Sequence, residues 1–227
     1  MQGYFSDSIL ARALKSGHFE VAFVNPRDFA TDKHQKVDDY QAGGGAGLLM
    51  KTEPLSRALE SIKSNNKEAY IIFVSPSGKT FKQVDAKRLA DKKEIVLVSG
   101  RYEGVDERIV ERYVDEIFSI GDFILTGGEL PSLCICDAIA RNIPGVLGNE
   151  ASLEGESFES SLLEAPGFTK PTNFKNSFII KEYLKGNHSK ISALKKELST
   201  LKTQYFRPDL YKKVKMNNKF QGKNDEK

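Results

Sequence analysis

"DFILTGGELPSL", residues 122–133, is an apolar run, a Gly-Gly turn and the start of a helical pattern. A backbone stripped of side chains at such a junction lets something come close. Working outward, "FEVAFV" (19–24), "YIIFV" (70–74), "EIVLVS" (94–99) and "DFILT" (122–126) read as short strands. They are rich in β-branched and aromatic residues and end at Pro, Ser or Gly. Helical patterns lie at 53–63, 83–92, 106–114 and 129–142. Near-continuous apolar strands suit a sheet covered on both faces, and strand–helix alternation predicts a parallel α/β sheet.

Four stretches are rich in glycine: "AGGGAGLLM" (42–50), "SPSGK" (75–79), "SGRYEGVDER" (99–108) and "IGDFILTGGELP" (120–131). None forms a complete G-x-x-x-x-G-K-[ST] P-loop, and "GGGAG" lacks the strand and spacing of a dinucleotide fingerprint. A nucleotide hydrolase is therefore a poor reading. One such stretch alone would be an ordinary turn. Three of them follow or flank an apolar strand, and loops at the carboxyl ends of strands gather in one crevice. Walls of glycine there offer backbone N–H and C=O groups. An adenosine cofactor fits them better than a triphosphate.

The chain of 227 residues is 39% hydrophobic, enough for a real core. Its net charge of +3 hides an asymmetry. Residues 1–169 hold 19 Lys+Arg against 26 Asp+Glu, and residues 170–227 hold 15 against 5. A basic end on an acidic body predicts a polyanionic partner, nucleic acid first, although a lysine-rich solvated surface gives the same count. "GNEASLEGESFESSLLEAPGF" (148–168) carries Glu150, Glu154, Glu156, Glu159 and Glu164, and its first part reads as a mobile linker. "SKISALKKELSTLKTQYF" (189–206) sets Ile191, Leu194, Leu198 and Leu201 at helical spacing, a core stripe, with Asn187 or Ser189 as its cap. The last residues, "NNKFQGKNDEK", read as frayed. No apolar run is long enough to cross a membrane, and no signal peptide opens the chain, so the cytoplasm is the expected compartment. Cys134 and Cys136 are read as buried, inert thiols, and no His or Cys spacing suggests a metal cage.

"NPRDF", "VDDYQAGGGAGLLM", "SPSGK", "SGRYEGVDERIVE", "SIGDFILTGGELP", "RNIPGVLGNEAS" and "GNH", in this order, resemble the bacterial tRNA (guanine-37-N1)-methyltransferases of the SPOUT class. The resemblance runs from about Tyr4 to Leu210. It implies a SPOUT-type α/β domain over 1–148 with a parallel sheet and a deep trefoil knot. A flexible linker over 149–160 and a small, basic, helical tRNA-binding domain over 161–227 follow. It also implies S-adenosyl-L-methionine as methyl donor, tRNA as substrate, and a homodimer with active sites at the subunit interface. The family's first strand is expected before "YFSDSILARAL" and is missing here, so either the start lies upstream or the chain is shortened.

The resemblance lays Ser75, Pro76, Gly100, Glu103, Gly104, Ile120, Gly121, Phe123, Leu125, Gly127 and Gly128 around the cofactor. Glu103 is the residue it ties to a magnesium requirement, with a local turn carboxylate as the plainer alternative. Methylating guanine at N1 requires removal of the N1 proton and stabilisation of the charge that moves onto O6. Arg141 matches the arginine placed near O6. Glu156 falls where the family usually has an aspartate as general base. Glutamate is one methylene longer and of similar basicity, and Glu154 and Glu159 are its nearest competitors. The Arg141 and Glu156 pair argues against 2′-O-ribose methylation; a non-catalytic RNA-binding protein is the other alternative. Asp122 is read as an N-cap or structural anion, and His34 and His188 as structural or backbone-contacting. Lys185, Lys190, Lys195, Lys196 and Arg207 are expected to meet phosphate.

Overall fold

The computed structural model describes residues 1–149, 153 and 155–221, with side chains through Met216. The chain forms two compact units, Met1–Gly148 and Asn149–Lys227. The first unit holds, in chain order, α1 (Ser8–Lys15), β1 (Asp38–Tyr40), β2 (Leu48–Met50), α2 (Thr52–Asn65) and β3 (Tyr70–Thr80). Then come α3 (Gln83–Ala90), β4 (Ile95–Ser99), α4 (Glu107–Tyr113), β5 (Glu116–Ser119) and α5 (Glu129–Ala140). The second holds β6 (Asn173–Phe174), β7 (Ser177–Phe178), α6 (His188–Phe206) and α7 (Pro208–Gln221).

β3 is the central strand of a parallel sheet ordered β4-β3-β5. Alternation splits its apolar run between two cores. Ile71 and Phe73 pack with Leu55 and Leu59 of α2, Val98 of β4, and Ile109 and Val110 of α4. Ile72 and Val74 pack on the other face with Ala86 and Leu89 of α3, Phe118, and Ile135 and Ile139 of α5. This two-sided burial explains why the run reads as continuous rather than alternating. Each such large side chain contributes about 1.5–3 kcal/mol on burial. The four helical patterns appear as α2, α3, α4 and α5, with ends shifted by at most two residues.

Two expected strands are absent as strands. Phe19–Val24 joins no ladder among the described residues, and an extended segment without a hydrogen-bonding neighbour is not a sheet strand. The run 122–126 is also irregular, with Phe123 at 54% and Ile124 at 79% exposure. The place beside β3 belongs instead to "EIFS" of β5, which the strand pattern of the sequence does not single out. The Ser119 hydroxyl then turns the chain, donating to Gly121 O (3.0 Å) and accepting from Gly121 N–H (3.1 Å). Gly121 takes φ +156°, and the apolar run leaves the sheet.

The pairing of β3 with β5 jumps from Val74 to Lys79, so Ser75–Gly78 bulges outward at the strand ends. A Cβ on Gly78 would lie 2.6 Å from Phe118 N and 2.7 Å from Ile117 O. Only glycine lets the bulge return to β5.

At the edge of the sheet, Glu116 accepts from Lys79 Nζ (2.6 Å), Arg88 (2.7 Å) and the Tyr70 hydroxyl (3.2 Å). Burial pushes its pKa up, but the two cations outweigh this and hold it below its ordinary 4.5. A carboxylate with a lowered folded pKa stabilises the fold above its unfolded pKa, and the gain is lost as pH falls through the folded value. The partners are half exposed, so solvent screening keeps the effect small. Glu116→Gln is expected to cost about 1 kcal/mol at pH 7. In thermal unfolding the gap between the two proteins should shrink as the pH drops below 4.5. A pH-independent gap would mean that the carboxylate's charge contributes nothing.

In the second unit, Asn187 caps α6 by accepting from Lys190 N–H at 3.1 Å. Ile191, Leu194 and Leu198 are half-buried, but Leu201 is 53% exposed. The packed face has turned to the row of Ser199 and Thr203, one helical turn apart, because the chain at Leu163 lies against it. Of the linker expected at 149–160, residues 150–152 and 154 lie outside the described residues, Glu150 and Glu154 among them; residues 155–160 form turns. The expected frayed end is partly helical, since α7 runs to Gln221, and residues 222–227 lie outside the described ones.

Candidate active site

A cavity of about 260 Å³ opens at the carboxyl ends of the three parallel strands. β3 delivers Val74, Ser75 and Pro76; β4 delivers Gly100 to Gly104; β5 delivers Ser119, Ile120 and Gly121. The irregular run supplies Phe123, Ile124, Leu125, Gly127 and Gly128, and Pro131 of α5 completes the lining. All eleven residues expected around a cofactor line this one cavity. Phe73, Val74, Arg101, Tyr102, Ser119, Ile124 and Pro131 line it too and were not singled out in the sequence. Arg101 and Tyr102 sit inside "GRYEG" between expected residues, so contiguity was the available signal.

The irregular run is pinned to the exit of β4. Gly128 N–H donates to Gly100 O at 2.8 Å, and the Ser99 and Ser132 hydroxyls meet at 2.8 Å, with Ser132 fully buried. A Cβ on Gly128 would lie 2.7 Å from Gly100 N and 2.8 Å from Ser99 Cα. Backbone meets backbone here. Across the mouth, Arg101 Nε donates to Glu129 Oε1.

The first of the four glycine stretches, "GGGAG", stands one layer behind the cavity. Glu103 N–H donates to Leu48 O (2.9 Å) and Met50 N–H to Gly104 O (2.9 Å), which stitches the β1–β2 hairpin to the Gly100–Gly104 loop. Gly47 has φ +83°, and a Cβ there would overlap the Glu103 side chain, with Cδ 2.8 Å away. Gly47, the last glycine of this turn, therefore packs directly against Glu103.

Arg141 follows α5 in the first unit, half-buried, its N–H bonded to Asp137 O at 3.1 Å. Glu156 belongs to the second unit, also half-buried, and its carbonyl accepts from Glu159 N–H at 3.2 Å. Asp122 is exposed and does not cap a helix; Gly128 occupies the N-cap of α5. His34 lies in an exposed loop, its N–H bonded to Asp32 Oδ1 at 3.0 Å, and His188 opens α6. Arg207 is held by Asp209 through two bonds of 2.9 and 2.8 Å, which drives the Asp209 pKa down to about 2. Its guanidinium is thus paired with a carboxylate of α7 and stays partly exposed. No group of three or more His, Cys, Asp or Glu among the described residues is placed to hold a metal.

The two cysteines differ. Cys136 is largely buried, and burial, then Asp137, pushes its thiol up to about 11. Cys134 is exposed, contrary to the expected burial of both, because residues two apart point to nearly opposite sides of a helix. At pH 8 only about one Cys136 in a thousand is thiolate. Iodoacetamide should therefore label Cys134 and spare Cys136 in the folded protein, read by peptide mass. Equal labelling would show that α5 opens readily.

The fold defines an α/β protein with a cavity at the carboxyl ends of its parallel strands, where ligands of such sheets bind. The family model for tRNA (guanine-1)-methyltransferase TrmD matches residues 1–213, and the chain belongs to that family. The tRNA (guanine-N(1)-)-methyltransferase of a Sulfurovum species is 62% identical over 213 residues, 94% of each chain. That of Campylobacter curvus is 60% identical over 212 residues, 93% of this chain and 90% of that one. That of a Nitratiruptor species is 63% identical over 209 residues, 92% of each.

Proposed function

We propose that the chain transfers a methyl group from S-adenosylmethionine to N1 of guanine-37 in tRNA, beside the anticodon. The observation that carries this reading is the convergence of eleven family-matched residues on one cavity. Its walls suit an adenosine: Gly100, Gly104, Gly121, Gly127 and Gly128 present backbone, and added Cβ atoms at Gly121, Gly127 and Gly128 would meet neighbouring atoms closer than 3.0 Å. Phe123, Ile124 and Leu125 add apolar surface for the purine ring. When bound, the sulfonium supplies an electrophilic methyl carbon and a neutral thioether leaving group.

Glu156 takes the N1 proton as general base, and the freed electron pair forms the N1–carbon bond as the carbon–sulfur bond breaks. Arg141 donates to O6, where charge collects in the transition state. Neither role needs a covalent enzyme intermediate. Glu103, the residue tied to magnesium by resemblance, is a single carboxylate at the cavity, and no step here runs through a metal.

The reading includes the finer features of the SPOUT class. The chain is knotted, with residues 127–132 drawn across the exit of β4, as the Gly128–Gly100 and Ser99–Ser132 bonds favour. Residues 1–148 bind the cofactor, 149–160 serve as linker, and 161–227 bind tRNA through salt-sensitive phosphate contacts. Two copies complete each site, Glu156 of one chain serving the pocket of the other. The protein acts in the cytoplasm, where its substrate is.

The test is methyl transfer from labelled S-adenosylmethionine to unmodified tRNA carrying guanine at positions 36 and 37. Label on N1 of guanine-37 is expected, and none on the same tRNA with adenine there. Tight tRNA binding without transfer would favour a non-catalytic RNA-binding protein. Label on a ribose 2′-oxygen would overturn the base assignment.

A further inference from the structure

The segment that follows Glu156 is a closed loop. Phe158 N–H donates to Leu162 O (2.8 Å), and Glu164 N–H donates to the Ser157 hydroxyl (3.1 Å). Phe158 and Ser161 sit at φ +76° and +61°, left-handed values that side chains disfavour. Such residues persist only where the surroundings over-determine them.

The fixing point is α6. Thr203 is fully buried, and its hydroxyl is used twice: it donates to Ser199 O (2.7 Å) and accepts from Leu163 N–H (2.9 Å). The Ser199 hydroxyl donates to Leu163 O. Two side chains one helical turn apart therefore hold both backbone groups of Leu163, as a neighbouring strand would. The same helix carries Lys190, Lys195, Lys196 and Lys202.

We infer that Thr203, seconded by Ser199, is a positioning residue that holds the Glu156 carboxylate in register with the lysines of α6. Its hydroxyl locks Leu163, Leu163 locks the strained loop, and the loop begins one residue after Glu156. Phosphate contacts on α6 and the proton acceptor then ride on one rigid piece, so docking the tRNA aims the base. A misplacement of about 1 Å can cost up to a hundredfold in rate. The inference rests on Glu156 being the general base.

The experiment compares wild type, Thr203→Val, Thr203→Ser, Glu156→Gln and the double variant Glu156→Gln/Thr203→Val. Each is assayed in the full-length protein with saturating tRNA and S-adenosylmethionine. Circular dichroism at the assay temperature checks folding. Thr203→Val should lower kcat at least about tenfold, leaving the tRNA KM and cofactor affinity within about twofold. Thr203→Ser should restore kcat. In the Glu156→Gln background Thr203→Val should cost nothing further, since there is no base left to misplace. A folded Thr203→Val protein with wild-type kcat overturns the inference, and so does an equal loss in the Glu156→Gln background. If Thr203→Val fails to fold, Ser199→Ala, which removes only the outer bond, is judged by the same criteria. Full activity of Glu156→Gln would instead show that the base reading itself is wrong, and the inference falls with it.

Discussion

Gly128→Ala should weaken S-adenosylmethionine binding at least about tenfold and lower the melting temperature. The φ of Gly128 is −77°, which any residue adopts, so the cost is contact alone. The new Cβ would lie 2.7 Å from Gly100 N, 2.8 Å from Ser99 Cα and 3.0 Å from Ser99 C. These are backbone atoms of β4 and its exit, and no rotamer relieves them. The run 127–132 must therefore move off β4. Its bond to Gly100 O and the buried Ser99–Ser132 pair stretch or break. Overpacking costs about 1–3 kcal/mol. A lost hydrogen bond adds about 1 kcal/mol. For a chain of this size that is a fall of about 4–16 °C. The cavity wall moves as well, so titration calorimetry should show at least about a tenfold weaker complex. Gly3→Ala is the control: nothing lies within 4 Å of its added Cβ, and both readouts should stay at wild type. Normal cofactor binding by Gly128→Ala would mean that the cavity described is not the cofactor site.

That prediction depends on how glycine was legible. The Gly-Gly pair at 127–128 pointed to a close approach from the sequence alone, because a bare backbone has few other uses between an apolar run and a helix. What approaches was legible only in part. Gly127 and Gly128 line the cavity, but the atoms nearest to an added Cβ on Gly128 belong to Ser99 and Gly100. The "GGGAG" turn, set aside as a fingerprint in the sequence, has its tight contact at Gly47 with the Glu103 side chain.

The strands show the limit of periodicity. Tyr70–Val74 was readable because both its faces are buried. Phe123–Leu125 is equally apolar yet exposed at the cavity, and composition cannot tell a buried apolar run from one that faces a ligand or partner. β5 was missed because it has four residues and opens on Glu116, whose charge is matched by Lys79 and Arg88 from other elements. The proposed catalytic pair was legible only by resemblance. Nothing in the composition of residues 150–164 singles out Glu156 among five glutamates.

Glu156→Gln is the sharpest test of that assignment. The amide has the shape of the carboxylate and keeps an acceptor oxygen, but it cannot take the N1 proton. Water would have to accept it, and a positioned general base is worth about a hundredfold or more. Turnover on guanine-37 tRNA should therefore fall at least about a hundredfold. Cofactor affinity should not change, because in this reading Glu156 meets the guanine and not the cofactor. The tRNA KM should hold within about twofold, since one charge lost from an acidic stretch weakens no phosphate contact. Arg141→Ala should cost about a hundredfold to a thousandfold by removing the O6 donor, again with the cofactor bound normally. The two losses should not add in the double variant, because proton removal and charge development on O6 belong to one transition state. Glu156→Asp separates reach from basicity: it keeps the carboxylate and shortens it by one methylene, towards the residue usual in the family. A rate near that of Glu156→Gln would show that this chain's loop is set for the longer side chain. A rate near wild type would show that the loop adjusts. Full activity in Glu156→Gln would move the base to another group, with Glu159 the next carboxylate to test.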